Sequence, residues 1–124
     1  MSAARLHREV RLRSRADFAR VFKEGRRLRS PSLMLAAIPN GLAWSRFAVS
    51  ASRRIGNSVV RNRTKRCLKE AFRLQQGEIR AGLDLVAVPR DGLAGESLRR
   101  AIDLLLPVLR RAERAFAREA SQNP

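Results

Sequence analysis

Apolar and polar positions along the chain follow helical spacing most clearly in its central third. From Val59 onward, apolar residues recur at intervals of three and four, which predicts a helix that ends near Leu74. Its apolar side comprises Val60, Thr64, Cys67, Leu68, Ala71 and Phe72. Asn57 and Ser58, directly after Gly56, are suitable N-cap residues for this helix. The pattern therefore predicts an amphipathic central helix with one side in the core.

A shorter helix is predicted near the N-terminus, over Ser14–Glu24. Ser14 and Asp17 resemble a capping box, with Asp in place of the usual Glu. Phe18, Val21 and Phe22 then form an apolar stripe at spacing i, i+3 and i+4. Gly25 is typical of a residue that ends a helix.

Strand patterns lie between the two predicted helices and after the second of them. After a basic link at Arg26–Pro31, the apolar run Leu33–Ile38 predicts a buried strand, and the turn sequence Pro39-Asn40-Gly41 follows it. Alternation over Trp44–Ser52 predicts a second strand, and we expect these two strands to form a hairpin. Asp84–Val88 predicts a third strand.

A last helix is predicted at about Glu96–Glu119, and Pro107 inside it should kink it or mark a break. The element order is then α-β-β-α-β-α, an α+β fold in which helices cover a small mixed sheet as a two-layer sandwich. We expect one domain over residues 10–120, a flexible basic arm over 1–9 and a tail over 121–124. If the strands on either side of the central helix pair in parallel, the default crossover is right-handed.

The charge of the chain indicates the kind of partner that the protein binds. The chain of 124 residues has 27 Lys and Arg against 11 Asp and Glu, a net charge of +16, and no acidic residue from Gly25 through Lys69. Solvated faces normally mix both signs, so this bias favours a polyanionic partner, above all nucleic acid. The polar side of the central helix carries one acidic residue, Glu70, among Arg61, Asn62, Arg63, Lys65, Arg66, Lys69 and Arg73.

Residues for catalysis by the protein itself are missing from the sequence. His7 is the only histidine, the acidic residues are dispersed, and no phosphate-binding glycine motif or metal-ligand spacing occurs. We therefore expect no catalytic residue, no protein-bound metal and no small-molecule substrate. The single cysteine, Cys67, fits a buried thiol in a reducing compartment. Without a long apolar run, we expect a cytoplasmic protein with no membrane contact.

Two functions for the phenylalanines of the first helix stay open at this point. Phe18 and Phe22, beside Arg15, suit a platform on which bases of single-stranded nucleic acid stack, and they equally suit the core.

Several motifs in order resemble the bacterial ribonuclease P protein component. The strongest is I-G-N-S-V-V-R-N-R-T-K-R-C-L-K-E-A-F-R, which contains R-N-R-T-K-R at Arg61–Arg66. R-A-D-F-A-R-V-F-K-E-G, F-A-V-S-A-S-R-R and D-L-V-A-V-P-R extend the match, which covers about Leu12 to Ala115. The resemblance implies an unusual left-handed crossover around the central helix, in place of the default.

The resemblance also implies the partners and the roles of residues. In that family the protein joins a catalytic RNA that uses metal ions, expected to be Mg²⁺, to remove the 5′ leader of precursor tRNA. The residues implied to bind the single-stranded leader are Phe18, Phe22, Arg15, Arg53, Arg54 and Arg90. The residues implied to face the catalytic RNA are Asn57, Arg61, Asn62, Arg63, Lys65, Arg66, Lys69 and Arg73.

One departure and one alternative accompany this hypothesis. Family members often have an aromatic residue in the first predicted strand, facing the leader, where this chain has Leu33-Met34-Leu35-Ala36-Ala37. Without the resemblance, the basic helix would equally suit a structural rRNA-binding or ribosome-associated protein. Such a protein needs no separate cleft for a single strand.

Overall fold

Three helices and four strands make up the fold. The computed structural model describes residue 12 and residues 14–75, 82–91 and 98–122, with side chains as far as 117. In chain order the elements are α1 (Arg15–Glu24), β1 (Arg26–Arg29), β2 (Leu33–Pro39), β3 (Arg46–Val49), α2 (Ser58–Gln75), β4 (Leu83–Pro89) and α3 (Leu98–Gln122). A short 3₁₀ turn at Arg53–Ile55 precedes α2. The predicted arm at 1–9, His7 and the last two residues of the predicted tail lie outside the described residues.

Helix α1 begins and ends as its sequence predicts. The Ser14 hydroxyl oxygen accepts a hydrogen bond from the Asp17 N–H at 3.0 Å, and the Gly25 N–H donates to the Val21 carbonyl at 2.9 Å. Gly25 has an extended backbone, so it is not required for a left-handed turn. A Cβ there would lie 2.5 Å from the Val21 oxygen and 2.7 Å from the Ala37 oxygen. Glycine at this position lets the end of α1 approach β2 closely.

The sheet contains one strand more than predicted, in the order β1-β2-β4-β3. Arg26–Arg29, predicted as part of a link, is strand β1 and pairs antiparallel with β2. The predicted hairpin between β2 and β3 is wrong, because β4 lies between these two strands in the sheet. β4 pairs antiparallel with β2 and parallel with β3. Strand β4 is buried over most of its length, so it takes a central position, while β3 shortens to four residues.

Helices cover both faces of this sheet. Leu33, Leu35 and Ala37 of β2 belong to a core shared with α2 and α3, whereas Ala36 packs with Val21 of α1. This alternation is the period of two expected of a strand buried on both faces. The α+β class is confirmed, and α1 adds a layer opposite to the one formed by α2 and α3.

The core side of α2 largely follows the predicted helical stripe. Thr64, Leu68, Ala71 and Phe72 are buried, together with Gln75, while Val60 and Cys67 are partly buried. The Phe72 ring stacks on that of Phe47 from β3, with centroids 4.5 Å apart. Helix α2 connects the parallel strands β3 and β4, and the left-handedness of this crossover stays a prediction.

Helix α3 packs on α2 and on the same face of the sheet, and it continues through Pro107 without a break. Pro107 lies on its exposed side.

Candidate nucleic-acid interface

The face of the sheet that α1 crosses consists of three rows of side chains, which follow from the strand register. The middle row runs from β1 to β3 and consists of Arg27, Ala36, Val86 and Ala48. Val21 of α1 packs on the last three of these residues. On one side lies the charged row, Ile38, Asp84 and Arg46. On the other side lies the open row, Arg29, Met34 and Val88, which Ser50 continues just beyond β3. Helix α1 therefore divides this face into two unlike halves.

The open row and one side of α1 form a groove. Phe18 and Phe22 lie one helical turn apart and are both partly buried, as are Met34 and Val88, and all four pack against the same small core. Arg15 is exposed one turn before Phe18, near the same side of the helix. Neither phenylalanine is a fully buried core residue, and neither is fully exposed. Both are at the rim of a core, where a side chain keeps a surface for a ligand.

Three predicted leader-binding arginines lie in the segments that follow the carboxyl ends of β3 and β4. Arg53 and Arg54 follow β3, and Arg90 follows β4. The Arg90 N–H donates to the Ser32 carbonyl at 2.9 Å. Because β3 and β4 are parallel, their carboxyl ends meet at the same edge of the sheet. All three side chains are exposed. The structure thus places Phe18, Phe22 and Arg15 along one half of the α1 face and the three arginines in the segments that follow β3 and β4.

A cleft of about 240 Å³ continues from the groove toward α2. Its lining consists of Leu12, Phe18, Phe47, Ala48, Val49, Lys65 and Lys69. The Leu12 N–H donates to the Phe47 carbonyl at 3.1 Å, which holds Leu12 beside β3. The cleft joins Phe18, predicted to bind leader, with two lysines predicted to face the catalytic RNA.

The polar side of α2, one surface by its sequence, therefore consists of two flanks. Arg61, Lys65 and Lys69 follow one another at intervals of four and are partly buried. The Nε of Arg61 is buried and has no hydrogen-bond partner within the described part of the chain. Asn62, Arg63 and Arg66 are exposed on the outer flank. The burial pattern, rather than charge, distinguishes the two flanks.

Two predicted contacts for the catalytic RNA already have roles inside the protein. The Asn57 side-chain oxygen accepts a hydrogen bond from the Val60 N–H at 3.0 Å, so Asn57 caps α2. The Arg73 guanidinium donates to both oxygens of Glu70, at 2.8 and 2.5 Å. These hydrogen bonds from Arg73 hold the pKa of Glu70 below its ordinary value. Any RNA contact made by Arg73 would compete with this pair.

The charged row contains a network around Asp84, for which the sequence predicts only a place at the start of a strand. Its carboxylate is fully buried and accepts hydrogen bonds from Arg46 at 2.8 and 2.6 Å, from Asn40 at 2.9 Å and from Arg20. Burial by itself would raise the pKa of Asp84, but hydrogen bonds from Arg46 and Asn40 and the nearby positive charges outweigh it, so the pKa is lowered. The signal was available: an acidic residue in an apolar strand needs partners.

Arg20 reaches Asp84 from α1, Arg46 pairs with Asp84 within the charged row, and Asp17 of α1 lies 3.6 Å from Arg46. The network therefore ties α1 to β3 and β4.

Nowhere in residues 14–75, 82–91 and 98–117 do three His, Cys, Asp or Glu side chains come together in a way that could hold a metal ion. No helix in the described part of the chain is both long enough and apolar enough to cross a membrane.

Comparison with protein families gives a match over nearly the whole chain. The sequence model of the family described as Ribonuclease P matches residues 6–113. A ribonuclease P protein component from Oleidesulfovibrio alaskensis is 39% identical over 121 residues, which cover 94% of this chain and 96% of that protein. The one from Thermotoga maritima is 39% identical over 89 residues, covering 72% and 76% of the two chains.

Solved structures show the same similarity in three dimensions. The ribonuclease P protein from Thermotoga maritima superposes with a TM-score of 0.74 at 34% identity, covering 82% of this chain and 96% of that chain. The protein from Staphylococcus aureus gives a TM-score of 0.74 at 26% identity, covering 84% and 95%.

Proposed function

Because this chain belongs to the bacterial ribonuclease P protein component family, and is thus a subunit of that tRNA-processing enzyme, we propose a division of labour between its two basic surfaces. The groove beside α1 binds the single-stranded 5′ leader of precursor tRNA, and the outer flank of α2 binds the catalytic RNA. The observation that carries this proposal is the open apolar row beside two partly buried phenylalanines, with arginines around it.

Single-stranded RNA requires both apolar faces and positive charge. Phe18 and Phe22 offer ring surface for stacking, at about 1–3 kcal/mol per base, and Met34 and Val88 provide an apolar floor. Arg15, Arg53, Arg54 and Arg90 are exposed around this surface and suit the leader phosphates. The run Leu33-Met34-Leu35-Ala36-Ala37 contains no aromatic residue where family members often have one, so contact on this floor would be apolar without ring stacking. Affinity for the leader should depend mainly on the two phenylalanines.

The catalytic RNA would meet the outer flank of α2, where Asn62, Arg63 and Arg66 are exposed. Cations on this flank bind phosphates in solvent, and the gain comes largely from release of counterions. Arg61, Lys65 and Lys69 would lie at the border between the two RNAs, since the cleft that contains the two lysines also contains Phe18. Asn57 and Arg73 would contribute secondarily, because each has an internal partner.

In this proposal the chemistry is carried by the RNA, with Mg²⁺ bound at the RNA active site. The protein contributes positive charge and fixes the leader next to the catalytic RNA. Positioning of this kind raises the rate by converting a loose encounter into an oriented one. Since precursor tRNA is the substrate, we propose the cytoplasm as the place of action.

Cleavage of precursor tRNA by three preparations tests the proposed division of labour: the protein alone, the catalytic RNA alone and both together, at low Mg²⁺. We expect no cleavage by the protein, weak cleavage by the RNA and efficient cleavage by the complex. Efficient metal-dependent cleavage by the RNA-free protein would refute catalysis by the RNA. An RNA that gains nothing from the protein at low Mg²⁺ would refute the assisting role.

A further inference from the structure

Strand β1 brings three arginines to the edge of the sheet beside the groove. Its sequence is Arg26, Arg27, Leu28 and Arg29, and all three arginine side chains are exposed. The register places Arg27 opposite Ala36 and Arg29 opposite Met34, so both lie on the α1 face. Arg26 lies on the other face, with its guanidinium carbon 5.8 Å from the centre of the Phe116 ring. The open row therefore ends at a cation, Arg29.

Contacts to main-chain atoms hold this edge in position. The Arg27 guanidinium donates to the Phe22 carbonyl at 3.0 Å, directly behind one of the proposed stacking residues. The Arg111 guanidinium of α3 donates to the Arg29 carbonyl at 2.7 Å, which fixes the backbone from which the Arg29 side chain extends. A guanidinium has five N–H donors, so Arg27 keeps donors for a phosphate while its orientation is already set. Part of the entropic cost of ordering this side chain is thus already met in the free protein.

We propose that Arg27 and Arg29 form a further binding site for leader phosphates, at the end of the groove farthest from α2. This inference rests on the proposed leader-binding function of the groove. It assigns to β1 the nucleotides of the leader that are most distant from the cleavage site. The groove then crosses the whole sheet, from the cleft beside α2, over Ser50, Val88 and Met34, to Arg29.

The order of strands fixes the direction of this path. Helix α2, the proposed site of the catalytic RNA, packs on β3, and β1 is at the opposite edge. Three interstrand spacings of about 4.8 Å separate the two edges, a width of about 14 Å. The nucleotides next to the cleavage site lie near Phe18, Lys65 and Lys69, and only a longer leader reaches Arg29. The site at β1 therefore acts only on precursors whose leader is long enough to reach it.

Leader length provides the test. Holoenzyme is reconstituted with wild-type protein or with Arg29→Ala, and its affinity is measured for precursors whose leaders grow one nucleotide at a time, and for mature tRNA. Arg29→Ala leaves in place the main-chain carbonyl that Arg111 contacts. For long leaders we expect a loss of about three- to tenfold in affinity, as for a solvent-exposed charged contact. For short leaders and mature tRNA we expect wild-type affinity.

Arg27→Ala should show the same dependence on leader length, and Arg114→Ala, which removes an exposed charge from α3 on the other side of the sheet, should not. A parallel series with Phe18→Ala separates two kinds of failure. If Phe18→Ala lowers affinity for precursors while Arg29→Ala matches wild type at every length, the site at β1 is refuted and the leader groove stands. If Arg29→Ala lowers affinity equally at all lengths, the site at β1 is likewise refuted. If Phe18→Ala leaves the preference for precursor over mature tRNA intact, the leader-binding function itself fails.

Discussion

The two sides of α1 use the same sheet face in opposite ways. On one side, Asp84 is fully buried and Arg20 and Arg46 donate to it, so the charges are neutralised within the protein. On the other side, Phe18 and Phe22 stay partly buried beside an open apolar row, and the arginines around it are exposed. One side fixes the helix, and the other offers a surface to a ligand. A count of charges does not distinguish these arginines, but the structure does: some stabilise the fold and the others stay exposed.

The largest effect is expected when the charged row beside α1 loses Asp84. Asp84→Ala removes the carboxylate shared by Arg20, Arg46 and Asn40, and loss of one partner from a buried ion pair costs about 3–5 kcal/mol of folding free energy. The lower end is expected here, because both guanidinium groups keep some contact with water. Urea unfolding measures the change. Asp103→Ala, an exposed aspartate of α3 next to Arg99, serves as the control and should change stability by less than about 0.5 kcal/mol.

Acid should remove the same stabilisation in the wild-type protein. The folded-state pKa of Asp84 is lowered, so its contribution is complete above the unfolded value of about 3.9 and is lost as the pH falls through the lower folded value. The difference in stability between wild type and Asp84→Ala should therefore be constant from neutral pH to about pH 4 and shrink below it. A difference that stays constant or grows as the pH falls below about 4 would mean that the network does not stabilise the ionised carboxylate.

A smaller effect, on binding of precursor tRNA, is expected from changes in the groove beside α1. Phe18→Ala or Phe22→Ala should weaken binding of precursor tRNA by about 1–3 kcal/mol and leave binding of mature tRNA nearly unchanged. Because both side chains are only partly buried, the loss of folding stability should be below the roughly 3–5 kcal/mol typical of a buried phenylalanine. Leader-dependent affinity and unfolding are measured on the same variants.

Phe72→Ala supplies the matched control, since Phe72 is fully buried against Phe47 on the other face of the sheet. It should lose stability while the folded fraction keeps its preference for precursor. If the two α1 variants, like Phe72→Ala, lose stability but keep the preference for precursor, the groove beside α1 is only an extension of the core.

The smallest effect concerns the arginines of α2. Replacing Arg61 and Arg66 together by Ala should flatten the dependence of log affinity for the catalytic RNA on log salt by about one to two units, at about 0.7–0.9 per lost contact. The pair Arg99→Ala and Arg114→Ala on α3 removes the same charge elsewhere and should leave the slope unchanged. If the α2 variant folds normally and keeps the wild-type slope, its polar side is merely solvated.

Local patterns predicted the helices well and the sheet less well. Helix α1, its cap at Ser14 and the core side of α2 follow from spacing of three and four, because a helix closes its hydrogen bonds within one segment. Strand β1 escaped prediction, since Arg26–Arg29 contains a single apolar residue, Leu28, and belongs to an edge strand. The order β2-β4-β3 also escaped, because alternation identifies the faces of a strand but not its neighbours.

The same limit applies to the site. Residue types along α2 identified a basic surface, and the family motifs placed Phe18 and Phe22 beside the leader, a role that stays a prediction. The separation of Lys65 and Lys69 from Arg63 and Arg66 could not be predicted, because it depends on where Leu12 and β3 lie. The partners of Asp84 come from α1, β3 and the turn after β2, separated by up to 64 positions in sequence. Such contacts are set by tertiary packing and leave no local pattern.

The close approach of Gly25 to β2 has a consequence for the timing of RNA capture. With main-chain atoms of α1 and β2 in contact there, and with Arg20 anchored on Asp84, the helix is held at two points along its length. The wall of the groove therefore exists before RNA arrives and needs no closing motion. Association should then be limited by the diffusional encounter, accelerated by the net charge of +16, and the association rate should fall steeply as salt is added. A side chain at position 25 would have to displace backbone atoms at the end of α1 or in β2, so the wall of the groove would shift.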